Sequence, residues 1–139
     1  KALEAALRNK RKYPDNVINN QVLGRVYMYN RMYEESEKIF EEVLDVDAEN
    51  RRVHFYLGGL YVRWSKDQEA MASLDRYLAF DDLSDTERGG ALYYKGKIYF
   101  NRRDYAKAKP LFEEAWSVSR NKWAKSKLET IEKREESSK

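Results

Sequence analysis

Three glycines of this chain are each followed by the same residue types at the same distances, and this repetition constrains the fold more than any other feature. A tyrosine lies three residues after each glycine, a small residue twelve after it, and a large apolar residue sixteen after it. A pattern written three times with fixed internal offsets predicts a repeated structural unit. The members are Gly24, Tyr27, Ser36 and Phe40, then Gly58, Tyr61, Ala70 and Leu74, then Gly96, Tyr99, Ala108 and Phe112.

The spacing within each copy predicts two antiparallel helices in close contact. A tyrosine three residues after a glycine lies on the same face of a helix, about one turn further on. A glycine inside a helix costs about 1 kcal/mol relative to alanine, so its repeated use indicates a close approach that a side chain would obstruct. We expect the small residue twelve positions later to be the contact, with the tyrosine and the large apolar residue beside it. Each copy is therefore predicted to be a helical hairpin.

Residues that commonly cap helices divide the chain in step with this pattern. Asp15 or Asn16 precedes the first glycine helix, Asn50 precedes the second, and Ser84 with Glu87 forms a capping box before the third. Pro110 falls inside the second helix of the third copy, where we expect a kink. The predicted elements are helix pairs at 16–31 with 34–46, 51–64 with 67–80 and 85–101 with 104–118, then a last helix after Asn121.

Composition supports an all-α protein and excludes several kinds of site. The chain has 139 residues, of which 42% are hydrophobic and 37% charged, and no apolar run approaches the roughly 18 residues of a spanning helix. Two prolines and six glycines are few for an all-β protein. There is no cysteine, and the single histidine, His54, leaves no second imidazole for a metal. No metal, cofactor or catalytic site is predicted.

The series of glycine, tyrosine, small residue and large apolar residue resembles the tetratricopeptide repeat, whose unit is about 34 residues long. Gly24 and Gly58 are 34 residues apart, whereas Gly58 and Gly96 are 38 apart, so we assign four extra residues to 81–85, where they lengthen the turn or the start of the next helix. Lys95 replaces the leucine that precedes the other two glycines. The resemblance implies an all-α, right-handed solenoid of antiparallel helix hairpins.

The same resemblance divides the chain into three repeats and two partial ends. Pro14 lies ten residues before Gly24, where a preceding repeat would close, so the first residues are expected to be the second helix of a truncated repeat with more repeats upstream. The last segment is expected to be a polar capping helix that frays from about Glu135. The expected units are 1–13 for the half-repeat, 16–50, 51–84 and 85–120 for the three repeats, and 121–139 for the cap and tail.

The resemblance also implies a binding surface, because stacked repeats bind partners along the concave face formed by their first helices. The inward positions are counted from each glycine. They give as candidates Gln21, Arg25, Met28, Arg52, Phe55, Val62, Arg63, Tyr93, Lys97 and Phe100. Such an aromatic and basic groove suits a protein or peptide ligand with apolar and acidic groups. The alternative is that the aromatic side chains pack between repeats and only the charged ones face solvent.

Charge distribution does not favour nucleic acid as the partner. The net charge of +3 combines basic ends with an acidic middle, since residues 1–13 hold five basic and one acidic side chain. The basic run 8–12 is explained by a helix C-terminus as well as by a phosphate contact. The residue set with which chaperone-binding members of the family hold a terminal carboxylate is not reproduced. We therefore predict a non-enzymatic adaptor or assembly scaffold, with a self-assembling scaffold as the alternative.

Overall fold

The computed structural model describes residues 1–138, and this part of the chain contains eight helices and no strand. The predicted all-α fold of antiparallel hairpins is confirmed. Helices α2 and α3, α4 and α5, and α6 and α7 form three hairpins, while α1 precedes them and α8 follows. The helices are α1 (Ala2–Lys12), α2 (Val17–Tyr29), α3 (Tyr33–Val46), α4 (Arg51–Arg63), α5 (Asp67–Leu78), α6 (Asp85–Asn101), α7 (Tyr105–Ser119) and α8 (Lys122–Ser137).

Helices α2, α4, α6 and α8 each begin at a side-chain cap. The side-chain oxygens of Asn16, Asn50 and Asn121 accept a hydrogen bond from the backbone N–H three residues later, at 2.8, 3.1 and 3.0 Å. At α6 the cap is reciprocal, because Ser84 Oγ accepts from the Glu87 N–H and Glu87 Oε1 accepts from the Ser84 N–H. These bonds satisfy donors that the helix itself leaves free, and they determine where each of these helices starts.

The turn inside each hairpin has the same backbone geometry. Arg31, Ser65 and Arg103 have φ angles of 61°, 59° and 63°, in the left-handed region. In each case the N–H of this residue bonds to the carbonyl three residues earlier, and the next N–H bonds to the carbonyl five residues earlier. This is the Schellman arrangement that closes a helix. Since the left-handed residue always lies seven positions after the repeat glycine, the turn is part of the repeated unit.

The repeat glycines leave space for a large side chain of the partner helix. A Cβ placed on Gly58 would lie 2.5 Å from Leu74 Cδ2, and one on Gly96 would lie 2.7 Å from Phe112 Cε1. The large residue sixteen positions later, which the sequence placed beside the contact, enters the hollow above the glycine. The pairs are Gly24 with Phe40, Gly58 with Leu74, and Gly96 with Phe112.

The small residue nevertheless lies between the two helices of its hairpin. Ser36, Ala70 and Ala108 are fully buried, and the Ser36 hydroxyl donates a 2.7 Å hydrogen bond to the Gly24 carbonyl. A larger side chain at these positions would separate the helices and lift the large residue out of the hollow. The glycine and the small residue therefore act together in holding the hairpin closed.

The buried side chains form three clusters along the chain of helices. The first, around Ala6, joins α1 to the first hairpin; the central one, around Leu57, joins the first hairpin to the second and to α6; the third, around Phe112, joins the third hairpin to α8. Each cluster contains one member of the tyrosine series, with Tyr27 in the first, Tyr61 in the central and Tyr99 in the third.

Helix α8 has the burial pattern of a first helix. Its buried residues are Ala124, Leu128 and Ile131, at the spacing of Val53, Leu57 and Leu60 in α4. This register puts Glu129 where the other first helices have their glycine. Among residues 1–138, the second helix that packs on α8 is α7, which precedes it.

The expectation of a frayed tail from Glu135 was wrong for the residues that the structure describes. Helix α8 continues to Ser137, and Lys139 lies outside the described residues. Residues 132–136 are glutamate, lysine and arginine, which lose little side-chain freedom in a helix, and Glu135 accepts a 3.0 Å hydrogen bond from Lys109 of α7.

Candidate partner-binding groove

A groove of about 680 Å³ runs beside α4, α6 and the start of α8. It is reached by Tyr29 from the end of α2 and by Tyr77 from α5, and we refer to it as the aromatic groove. Seven of its lining side chains are aromatic and three are cationic. The lining residues are Tyr29, Arg52, Phe55, Tyr56, Arg63, Tyr77, Thr86, Glu87, Gly90, Tyr93, Tyr94, Lys97, Asn121 and Trp123.

Packed aromatic rings form the floor of the aromatic groove. The Phe55 ring lies 5.1 Å from the Tyr77 ring and 5.5 Å from the Tyr94 ring, measured between centroids. The rings lie beside two glycines, where an added Cβ would make an ordinary contact, 3.5 Å from Phe55 at Gly90 and 3.5 Å from Tyr94 at Gly59. The floor is therefore held by contacts within the protein, while the walls remain available to a ligand.

The cations of the aromatic groove have no carboxylate partner. Within residues 1–138, no carboxylate lies within 4.0 Å of Arg52, Arg63 or Lys97. The Arg63 guanidinium lies over the Tyr29 ring, 5.2 Å from its centroid. Burial lowers the pKa of Lys97, and the positive charges of Arg63 and Lys127 lower it further. The groove thus holds positive charge that an acidic ligand would neutralise.

The carboxylate that lines the aromatic groove, Glu87, is already hydrogen-bonded and ion-paired to neighbouring groups. Glu87 belongs to the capping box of α6, and its Oε2 also accepts a 3.3 Å hydrogen bond from the Tyr77 hydroxyl and lies 3.6 Å from Arg51. The backbone N–H of Ser84 is the main cause that lowers the pKa of Glu87. Glu87 therefore stays ionised for structural reasons and does not offset the three free cations.

Five of the ten residues chosen from the sequence line the aromatic groove. Arg52 and Arg63 come from α4 with Phe55, and Tyr93 and Lys97 come from α6. A sixth, Arg25, is exposed nearby and lies over the Tyr56 ring, 5.0 Å from its centroid. The structure brings these side chains to one face because α4 and α6 present the same positions side by side.

The other four candidates do not line the groove; three are buried and Phe100 is partly buried. Met28 and Val62, four residues after their glycines, are 5% and 4% exposed and belong to the central core cluster. Gln21 is also buried, and its Oε1 accepts a 3.1 Å hydrogen bond from Asn50 Nδ2. Phe100 packs on neighbouring rings of the third cluster. The packing alternative concerned the aromatic side chains, and of these four residues only Phe100 is aromatic. Its ring neighbours, Tyr105 and Phe112, belong to α7 of the same hairpin.

Sequence reasoning missed the part of the groove that α8 supplies. Trp123 is 70% exposed and stands at one end of the aromatic groove, with Asn121 next to it. The buried spacing of Ala124, Leu128 and Ile131 was the signal that could have found it, because it makes α8 a first helix. Trp123 then occupies the position of Arg52 and Gly90 in the preceding first helices.

Within residues 1–138, the groups that a metal site or a membrane span requires do not occur together. These residues contain no group of three or more histidine, cysteine, aspartate or glutamate side chains that could hold a metal. No helix among them has the length and hydropathy needed to cross a membrane. His54 Nε2 lies 3.0 Å from the Ala48 carbonyl and the imidazole lies beside the Phe80 ring, which are structural contacts.

Comparison with known proteins agrees with the repeat pattern and the hairpins. Two tetratricopeptide repeat family models match residues 22–86 and 90–122. The chain belongs to the tetratricopeptide repeat family. Repeats of this family form scaffolds for protein interaction and are generally not catalytic, which is the coarse functional class of this chain. No curated protein matches the sequence significantly.

Solved structures with the same fold include two of MamA and one of pilF from Pseudomonas aeruginosa. A crystal structure of MamA is 18% identical, covers 98% of this chain and 88% of its own, and has a TM-score of 0.68. A second is 21% identical, covers 94% and 69%, and has a TM-score of 0.71. The pilF structure is 18% identical, covers 98% and 68%, and has a TM-score of 0.77. At these identities the likeness concerns the fold alone.

Proposed function

We propose that the aromatic groove binds a segment of a partner protein and that the chain acts as an adaptor or assembly scaffold without catalysing a reaction. The observation that carries this proposal is the combination of seven aromatic side chains with three cations that lack carboxylate partners in residues 1–138. Tyrosine, tryptophan and arginine are the residue types that contribute most to protein interfaces.

The partner segment is expected to carry an apolar side chain and an acidic one. The apolar side chain would lie between Tyr93 and Trp123, whose rings provide contact area at low cost in side-chain entropy. The acidic side chain would lie near Arg63 and Lys97. A carboxylate there would offset the burial and the like charges that lower the pKa of Lys97, so binding would favour its charged form.

The test replaces groove residues that do not support the fold. Phe55 and Tyr93 pack on Tyr77 and Phe112, so their replacement would disturb the core. Trp123→Ala and Lys97→Met are preferable. Tyr13→Ala, which removes a half-exposed ring outside the groove, is the control. Partners captured by the unchanged protein would be quantified against each variant, with circular dichroism to confirm unaltered melting.

We expect the same partners to be reduced about tenfold or more by Trp123→Ala and by Lys97→Met, and to be kept by Tyr13→Ala. Equal recovery of every partner by both groove variants would show that binding takes place elsewhere. A loss that Tyr13→Ala reproduces would indicate a general effect on the protein surface and would also count against the groove.

A further inference from the structure

Three cations from successive first helices meet at one end of the aromatic groove. They are Arg63 at the end of α4, Lys97 of α6 and Lys127 of α8. Burial lowers the pKa of Lys97, and the positive charges of Arg63 and Lys127 are close enough to lower it further. We call these three residues the cation cluster.

Contacts with aromatic rings place the same side chains together. The Lys127 ammonium lies 4.6 Å from the centroid of the Phe100 ring, and Phe100 follows Lys97 by three residues, which makes the two neighbours on the surface of α6. Arg63 lines the groove together with Lys97, and its guanidinium lies 5.2 Å from the centroid of the Tyr29 ring. The cluster is therefore supported by ring contacts on both sides of Lys97.

No acidic side chain offsets the cation cluster. Within residues 1–138, none of its three members has a carboxylate within 4.0 Å. Glu87, the carboxylate of the groove, precedes Lys97 by ten residues, which is about 15 Å along α6. The residues one helical turn away from Lys97 and Lys127 are all uncharged: Tyr93, Tyr94, Phe100 and Asn101 in α6, and Trp123, Ala124, Thr130 and Ile131 in α8.

The number of cations indicates the charge of the ligand. Three positive charges in one place repel one another, and the partial burial of Lys97 reduces the screening by water. A carboxylate carries one negative charge and would leave two cations uncompensated. A phosphoryl group carries about −1.5 to −2 at pH 7 and has three acceptor oxygens. Arginine can bind two of these oxygens at once, and lysine binds as a point charge.

The surroundings of the cation cluster favour a protein segment over a nucleic acid as the carrier of the phosphoryl group. Residues 14–118 hold 15 basic and 19 acidic side chains, a net charge of −4. A nucleic acid carries a phosphate at every nucleotide and would extend from the small cluster over this acidic surface. A protein segment brings one phosphoryl group and can place apolar side chains on the aromatic groove.

We infer that the cation cluster binds the phosphoryl group of a phosphorylated side chain in a partner segment that lies in the aromatic groove. The inference rests on the proposed function and specifies the acidic group of the ligand. The phosphoryl oxygens lie between Arg63, Lys97 and Lys127, while an apolar side chain of the same segment lies between Tyr93 and Trp123. Phosphorylation of the partner therefore controls formation of the complex.

The test uses three pools of short fluorescent peptides that differ at one position. The central residue is phosphoserine, glutamate or serine, the C-terminus is amidated, and the other positions vary among alanine, leucine, phenylalanine and serine. Retention of each pool by the immobilised protein gives its average affinity. We expect the phosphoserine pool to bind about tenfold or more tightly than the serine pool, and more tightly than the glutamate pool. This preference should decrease as salt is added.

Variants place the phosphoryl group on the molecule. Lys97→Met with Lys127→Met keeps most of each side chain and should abolish the preference for phosphoserine. The matched control is Lys38→Met with Lys133→Met, because it removes the same charge at exposed positions outside the groove, and it should keep the preference. Trp123→Ala should weaken all three pools by a similar factor, since it removes an apolar contact that they share. Circular dichroism checks that melting is unaltered.

Different results decide the proposed function and this inference. Equal binding of the three pools that Trp123→Ala weakens would keep the groove as a site for protein segments and overturn the role of the cation cluster. The inference is also wrong if Lys97→Met with Lys127→Met lowers the preference no more than the control does. Retention of none of the pools would contradict both proposals.

Two further ligands are compared with the phosphoserine pool. One is the serine pool with a free carboxylate at its C-terminus, and the other is a single-stranded oligothymidine. We expect both to bind more weakly than the phosphoserine pool. Tighter binding of the first would make a chain terminus the ligand, and tighter binding of the second would make it a nucleic acid. Either result would overturn the inference.

Discussion

At the scale of single residues, two neighbouring glycines pack against different parts of the molecule. Gly58 faces the second helix of its own hairpin, where Leu74 fills the space that a Cβ would need. Gly59 faces the next repeat, where the nearest atoms of Tyr94 are 3.5 Å from the place of a Cβ. An added methyl group would overlap with a core side chain at the first position and make an ordinary contact at the second.

Alanine substitutions at these two positions should change stability in opposite directions. Gly58→Ala should lower the free energy of unfolding by about 1–3 kcal/mol, because fully buried Leu74 must move. Gly59→Ala should raise it by about 0.5–1 kcal/mol, since only the gain in helix propensity remains. Urea denaturation of both variants measures the two values. A neutral Gly58→Ala would show that the glycine hollow is not required.

Buried tyrosine hydroxyls are a second feature at this scale. The Tyr61 hydroxyl donates to Glu37 Oε2 at 2.6 Å, and the Tyr77 hydroxyl donates to Glu87 Oε2 at 3.3 Å. Burial is the main cause that raises both pKa values above the ordinary 10.0, and it raises the pKa of Tyr77 to about 12 with the help of the Glu87 charge. Both hydroxyls resist ionisation in the folded protein.

This resistance predicts loss of stability in alkali. Each folded pKa lies above the unfolded one, so the contribution is complete below pH 10 and is lost as pH rises from 10 through 12. Urea denaturation at pH 8 and at pH 11 should show this decrease. In Tyr61→Phe with Tyr77→Phe the decrease should be smaller, and Tyr99→Phe serves as the control. An unchanged pH dependence in the double variant would contradict the assignment.

At the scale of elements, α7 contains a proline well inside its length. Pro110 is exposed and lies in the second turn of the helix, which continues on both sides of it. A proline there has no N–H for the carbonyl of Ala106, and its ring presses on that carbonyl.

Replacing the proline should therefore stabilise the third hairpin. Pro110→Ala should raise the free energy of unfolding by about 1–3 kcal/mol, because a backbone hydrogen bond is restored and the steric conflict removed. Glu113→Ala, at an exposed position one turn later, should change it by less than about 0.5 kcal/mol. Thermal and urea unfolding measure both. A loss of stability in Pro110→Ala would indicate that the proline shapes the packing of α7.

At the scale of the whole molecule, stability is divided among neighbouring units. The three core clusters follow one another along the chain, and each joins a hairpin only to the helices beside it. In such an arrangement, stability is close to a sum over repeats and their interfaces. Damage at one end should stay near that end.

Weakening the contact of α8 tests this division. Leu128→Ala with Ile131→Ala removes side chains that are 9% and 1% exposed, and should cost about 2–4 kcal/mol for each. Amide hydrogen exchange should speed up in α6, α7 and α8 while α2, α3 and α4 keep their protection. Equal acceleration in all helices would show that the molecule opens as one unit.

The helices and hairpins could be predicted from the sequence alone, because they depend on local interactions. The caps at Asn16, Asn50 and Ser84 and the glycine series set each hairpin, because capping and close helix contact depend on residues a few positions apart. The groove positions Phe55 and Lys97 followed from the resemblance to a repeat family, because equivalent positions of stacked repeats share a face.

Only the tertiary structure decided which of those positions a ligand can reach. The helical period puts Met28 near Arg25 on one side of α2, but Met28 is buried in the central core cluster whereas Arg25 is exposed. Trp123 became part of the groove because α8 packs as a further first helix, which its polar composition did not suggest. Exposure depends on how neighbouring helices cross and which surfaces they cover, and that is a property of the packed molecule, since periodicity specifies a face but not its neighbour.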